Sequence, residues 1–347
     1  MNREHYYLHV YRKKANNAGC KAVDDCEQIM RSIGYKELPY LLGTPGGGFF
    51  GKIKKVMSLL KINDITPNAI LVVEHPLYIH NNYLYVLRKL KARKKIKLVF
   101  IIHDLESVRQ ILPDSELYEA RDKIVFEIAD VIIAHNPVMK ELLAKNGVDS
   151  KKIVNLGIFD YLVRKKEKEI TKQGTQNGIV IAGNLDITTC GYIYLLSETI
   201  LNDMDFNLYG INYKETKGCH YYGAFTPNEL PQIMQGKYGL IWYGNDLETC
   251  GGKLKEYLHY INPHKTSSYI AAGIPIIIAD NIGLKDFIEQ NELGFSIMHL
   301  SDLKEKLNSI TDEQYKLYQE NVKKFSKKLK NGEYLKTALA EADKIIG

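Results

Sequence analysis

The segment Asn262-Pro-His-Lys-Thr-Ser-Ser-Tyr-Ile-Ala-Ala-Gly-Ile-Pro-Ile-Ile-Ile gathers several anion-binding groups in one place. Pro263 suits a first helical turn, Gly273 closes the helix and Pro275 opens an apolar strand. A helix start that displays Lys265, Thr266, Ser267 and Ser268 offers unpaired backbone N–H groups, hydroxyls and an ammonium together. That set matches a diphosphate; an ordinary capped surface helix is the plainer alternative. Neither a P-loop nor a dinucleotide fingerprint is present, so the anion has to be received by a different kind of loop.

Other residues could serve the same chemistry. Ala182-Gly183-Asn184-Leu185 follows directly on an apolar run, where small residues let backbone approach a ligand; a glycine turn is the bland reading. In Tyr221-Tyr-Gly-Ala-Phe-Thr-Pro-Asn-Glu-Leu, Thr226 caps a predicted helix with Pro227 at its first position, and Tyr222 or Phe225 could stack on a base. A core tyrosine is the rival role. His103-Asp104 lies just past the apolar run Lys97 to Ile102, at the carboxyl end of a strand, where ligands of parallel sheets bind. Asp104 is the preferred base or substrate-orienting group and His103 the next, the alternative for Asp104 being a helix cap. Glu248 and Glu256 stand in E-x7-E spacing, which is taken as coincidence.

These residues need elements to hold them. Short apolar runs alternate with longer helical patterns almost end to end, the signature of parallel strands joined by crossover helices, so an α/β fold is expected. Strands are predicted at 6–11, 69–73, 97–102, 131–134 and 153–156, then at 179–182, 205–209, 238–243, 275–279 and 294–297. Residues 164–178, RKKEKEITKQGTQNG, are nearly devoid of apolar side chains and read as a linker. The expected organisation is a doubly wound domain over 1–163, the linker, a second doubly wound domain over 179–330 and a final helix over 331–347, with ligand in a cleft between the sheets. In that final stretch Leu335, Ala338, Leu339 and Ala342 supply an apolar stripe suited to packing, the competing use of the lysine-rich tail being contact with an anionic membrane.

Composition narrows the partners. The chain of 347 residues carries 47 Lys+Arg against 41 Asp+Glu, a formal +6 without a concentrated basic stripe, which argues against a dedicated nucleic-acid binder. No stretch approaches the roughly 18 to 20 apolar residues of a membrane-spanning helix, and the N-terminus lacks an apolar signal run, so a cytoplasmic location is expected, at most peripheral to the inner face of the membrane. The 5 cysteines are scattered and free of any CxxC pair, so neither a disulfide framework nor a metal site is expected.

Read together, AGNL at 182–185, NLYGIN at 207–212, YYGAFTPNELP at 221–231, GLIWYGNDLETCGG at 239–252 and NPHKTSSYIAAGIPIII at 262–278 resemble bacterial GT-B glycosyltransferases of the galactofuranosyltransferase-like group. That group is similar to the third-step glucosyltransferases that glycosylate serine-rich repeat adhesins. The likeness continues through NNAGCKAVDD at 16–25, IIHDLESVR at 101–109 and IAHNPVMKELLAKNGV at 133–148. The resemblance implies two Rossmann-like domains facing a central cleft and a UDP-sugar held by the second domain without a metal ion. It makes Gly183, Asn184, Tyr209, Tyr222, Phe225, Asn262, Lys265, Thr266, Ser267 and Ser268 donor-binding residues, with Asn16, Asn17, Ala18 and Gly19 at the acceptor, a glycan or glycoprotein. A homo-oligomer is expected. Where related sequences place a basic residue after AGNL, this chain has Asp186-Ile-Thr-Thr. An inactive scaffolding subunit of the same fold and a two-domain sugar-nucleotide epimerase are the rival classes.

Overall fold

The computed structural model describes residues 3–10, 18–40, 62–77, 82–110, 115–163, 171–199 and 201–347. The chain divides into two compact units, one of Met1–Ala15, Val23–Leu156 and Leu335–Gly347, the other of Asn16–Ala22 and Gly157–Tyr334. Each is built on a parallel sheet.

The first sheet has strands β1 (His5–Val10), β2 (Lys36–Tyr40), β3 (Ile70–His75), β4 (Lys97–Ile102), β5 (Val131–Ala134) and β6 (Ile153–Asn155), in the order β2-β1-β3-β4-β5-β6. β5 is buried at every residue, as a continuous apolar run covered on both faces should be, and so is β3, which ends in the buried Glu74 and His75. β2 was not foreseen. It is a polar edge strand that contains Pro39, a residue sheets accept only where no ladder N–H is needed.

The second sheet has β7 (Ile179–Asn184), β8 (Phe206–Ile211), β9 (Cys219–Tyr221), β10 (Tyr238–Ile241), β11 (Ile276–Ala279) and β12 (Gly294–Ile297), in the order β12-β11-β10-β7-β8-β9. Its direction of growth reverses between β7 and β10, which is where doubly wound sheets bind ligands. Beneath the strands lies a core that includes the fully buried Trp242, Tyr192 and Tyr269.

Two expectations need revision. The later half of the expected linker is built into the second unit: Gln173 N donates to Ile233 O (2.8 Å), and the fully buried Asn207 donates to Thr175 O (2.9 Å). Its few apolar residues hid this, because backbone bonds and one buried amide do the anchoring. Residues 164–170 lie outside the described residues. Secondly, no helix starts at Pro227. Thr226 and Glu229 close a turn through the Glu229 carboxylate (2.8 Å to Thr226 Oγ1), and the helical residues are only Leu230–Ile233.

The helix Asp312–Lys330 buries Tyr318, Val322 and Leu329 in the second unit and leaves its lysines outward. The last helix, Glu333–Ile346, gives Leu335, Ala338, Leu339 and Ala342 to the interior. Asp343 lies 3.1 Å from His5 Nε2, and Arg3 Nη1 donates to Ile346 O (3.3 Å). We therefore expect a chain ending at Gly332 to lose about 3–6 kcal/mol from the first unit, the contribution of two buried leucines alone. Calorimetry of the truncated protein checks this; unchanged melting with lost binding to anionic liposomes would assign the helix to a membrane instead.

Candidate functional site

The second unit contains a cavity of about 330 Å³ at the carboxyl ends of β7 and β8 and the start of the helix His264–Ala272. Its rear wall is bare backbone. Gly183, at φ +121°, is the penultimate residue of β7 and the register partner of Gly210 of β8. A Cβ on Gly210 would stand 1.8 Å from Gly183 O, so no larger residue fits. Gly210→Ala is expected to cost at least 1–3 kcal/mol through forced backbone displacement; an unchanged melting temperature would show that the two strands separate freely.

Asn184, also on this wall, is fixed by a local turn: its Oδ1 accepts from Asp186 N (3.2 Å) and Asn212 Nδ2 (2.8 Å). Asp186 in turn caps the short helix Ile187–Cys190 by accepting from Thr188 N (2.9 Å), and its bonds to the Thr188 hydroxyl and N–H hold its carboxyl below the usual range. The acid that replaces an expected basic residue thus has a structural role.

Tyr161, Tyr209 and Phe225 are the aromatic residues of the lining. Tyr209, fully buried on β8, stacks on Tyr222 (centroids 5.3 Å apart, 22°) and meets Phe225 at a tilt (6.5 Å). Its hydroxyl donates to Gln173 O, and burial pushes the phenol up to about 12, so it acts as a fixed neutral surface. Tyr161 stacks on His264 (5.0 Å) and donates to Pro227 O (2.6 Å), locking two further lining residues together.

The polar end is the helix start. Lys265 lines the cavity with its Nζ 4.0 Å from the Tyr243 ring centroid. Among the described residues it has no carboxylate within ion-pair distance. Its ionisable neighbours are the thiols of Cys190 and Cys250, both pushed up by burial, Cys250 to about 12, and hence neutral. Burial lowers the ammonium below the usual lysine value. Ser268 is buried at the cavity wall, and its hydroxyl has no hydrogen-bond partner. A partly enclosed cation with no carboxylate partner, beside a buried hydroxyl without a hydrogen-bond partner at the start of a helix, suits an anion.

The structure brings together Gly183, Asn184, Tyr209, Phe225, Lys265 and Ser268 around this cavity, with Gly19 from the first turn of the helix Ala18–Ser32. Asn16 and Asn17 lie outside the described residues, and Ala18 is described only as the start of that helix. Four expected donor residues do not line the wall. Tyr222 backs Tyr209; Asn262 is buried and donates to Gly157 O (3.0 Å); Ser267 donates to Phe159 O (2.7 Å); Thr266 is fully buried. Helical rotation explains the serines, since neighbours lie about 100° apart and only one can face the cavity. Tyr161, His264, Gly210, Pro227 and Leu230 were not anticipated.

In the first unit, Asp104 follows β4 and its Oδ2 lies 3.3 Å from Arg109 Nη1, which also meets the buried Glu106 at 2.9 Å. The N-cap of the helix Glu106–Arg109 is Leu105, so Asp104 is not its cap. His103 Nε2 lies 3.3 Å from Glu74 Oε2. The neighbouring His135 is held neutral, pushed down to about 3 by burial and by His103, and its Nε2 meets Ile102 O at 2.9 Å. Contrary to the expectation of no metal-type cluster, the donor atoms of Cys26, Glu74 and His103 all lie within 4.8 Å of one another.

Two doubly wound parallel sheets, one with a cavity at the mouth of its strands, are the architecture of the GT-B glycosyltransferases. Residues 5–158 match the family described as Glucosyltransferase 3-like, N-terminal domain, and residues 179–342 its C-terminal domain; the chain belongs to this family. It is 30% identical over 342 residues to the beta-1,6-galactofuranosyltransferase WbbI of Escherichia coli K12, covering 97% of each chain. It is 21% identical over 340 residues to glucosyltransferase 3 of Streptococcus gordonii, covering 96% of each. Among solved structures, Anabaena HepE in complex with UDP and glucose superposes with a TM-score of 0.60 at 11% identity, over 98% of this chain and 100% of that one.

Proposed function

We propose that this protein transfers a hexose (glucose, galactofuranose or N-acetylglucosamine) from a UDP-sugar to a glycan or glycoprotein acceptor. The observation that carries the reading is Lys265, an ammonium with no carboxylate partner at the start of a helix, in a cavity whose other walls suit a base and a diphosphate. Relatives named as galactofuranosyl- and glucosyltransferases and a neighbour solved with UDP and glucose support it.

In the transfer, the bond from the anomeric carbon to the diphosphate breaks and one to the acceptor oxygen forms. Negative charge grows on the departing UDP. Lys265, the Ser268 hydroxyl and the N–H groups of the helix start take up that charge, the role a divalent cation plays elsewhere. Phe225 offers a flat surface to the base with Tyr209 packed against it, and the bare backbone of Gly183 and Gly210 admits the ribose or sugar at close range. In the first unit, Asp104 is the carboxylate to accept the acceptor proton, with His103 the next candidate.

A panel of UDP-sugars, each with and without glycan acceptor, tests this. UDP release with one donor is expected; an altered donor sugar without transfer would mark an epimerase, and tight UDP binding without turnover a scaffold. UDP affinity is expected to be the same in EDTA, because the donor site supplies its own cation. Affinity restored only by Mg²⁺ or Mn²⁺ would refute that assignment.

A further inference from the structure

We propose that Cys26, Glu74 and His103 form a binding site for one borderline divalent cation of the Zn²⁺ class in the first unit. The three residues come from separate elements that the fold must bring together. Glu74 is the penultimate residue of β3 and pairs in register with Ile101 of β4. His103 stands two residues beyond Ile101, so strand alternation turns the carboxylate and imidazole to one face of the sheet. Cys26, on the helix Ala18–Ser32, completes the set, and the three donor atoms lie within 4.8 Å of one another. An ion at about 2.0–2.3 Å from sulfur, nitrogen and oxygen needs donors no more than about 4.6 Å apart, so side-chain shifts of a few tenths of an ångström suffice to close this group around it.

Charge and burial favour the cation. Cys26 and Glu74 are each 4% exposed, and the His103 side chain 12%. Around one divalent ion, a thiolate, a carboxylate and a neutral imidazole make an uncharged cluster, which suits so dry a place. One sulfur and one nitrogen among three donors select a borderline metal over Mg²⁺ or Ca²⁺. Three protein ligands leave a fourth position open to water or to a substrate oxygen. His103 then serves as a ligand, which leaves Asp104 as the proton acceptor. The site belongs to the first unit and shares no residue with the donor cavity.

Titrating the metal-free full-length protein with Co²⁺ tests the proposal. One equivalent should bind with a thiolate-to-cobalt charge-transfer band in the near ultraviolet, and Zn²⁺ should displace it. Cys26→Ser should lose that band, Cys20→Ser should keep it, and Glu74→Gln should weaken Co²⁺ binding at least tenfold, with an unchanged circular-dichroism melt reporting that each variant is folded. No stoichiometric binding by the wild-type protein, or an intact band in Cys26→Ser, would show that Glu74 and His103 form only an ion pair beside an inert thiol. Should Cys26→Ser fail to fold, the Glu74→Gln titration decides: unchanged Co²⁺ affinity overturns the site.

Discussion

Replacing Lys265 with alanine should weaken UDP binding about ten- to a hundredfold and abolish the thermal stabilisation that UDP gives the wild-type protein. A charge-assisted contact in a partly enclosed site is worth about 1.5–3 kcal/mol, and among the described residues no other lysine or arginine lines the cavity. The adjacent thiols are neutral, and Lys21 Nζ is committed to Leu162 O at 2.6 Å. The direction of the Lys265 shift adds a pH signature. Because burial lowers its ammonium, the empty site loses its proton below the usual lysine value, so UDP affinity should decline with rising pH earlier than an exposed lysine would allow. Calorimetric titration of UDP at several pH values measures both effects. An unchanged dissociation constant in the alanine variant would remove Lys265 from the site.

Asp104→Asn should lower kcat by about 10²–10⁴ while leaving UDP affinity intact, since the amide keeps the shape and a hydrogen bond to Arg109 but cannot accept a proton. The contrast in the two readouts separates proton transfer from binding. A decrease confined to acceptor KM would mean that Asp104 positions the acceptor, and kcat within a few-fold of wild type would pass the role to another group.

The sequence made the donor side more legible than the proton-transfer side. Lys265 and Ser268 follow from a helix start between Pro263 and Gly273, and Gly183-Asn184 from small residues at the end of an apolar strand; both are local signals. Asn262 misled because a polar residue before such a helix looks ligand-facing, yet its amide braces Gly157 far away in sequence. Gly210 needed pairing information: its requirement for no side chain arises from the carbonyl of Gly183 on the neighbouring strand. Glu74 was invisible within an apolar run, and its nearness to Cys26 and His103 depends on strand register and helix placement, which no spacing encodes.

The order of segments also bears on how the chain is made. The first unit takes its last helix from Leu335–Gly347, after all of residues 157–334, while the second takes Asn16–Ala22, including the cavity residue Gly19, from near the start. During synthesis at ~5–20 residues per second, the earlier unit therefore waits on the order of 10 s or more for its closing element. Its apolar seat for Leu335 and Leu339 stays uncovered meanwhile, a natural place for a chaperone to act. Splitting the gene between the units would leave each product without a piece carried by the other, so the two halves are bound to a single polypeptide by their wiring.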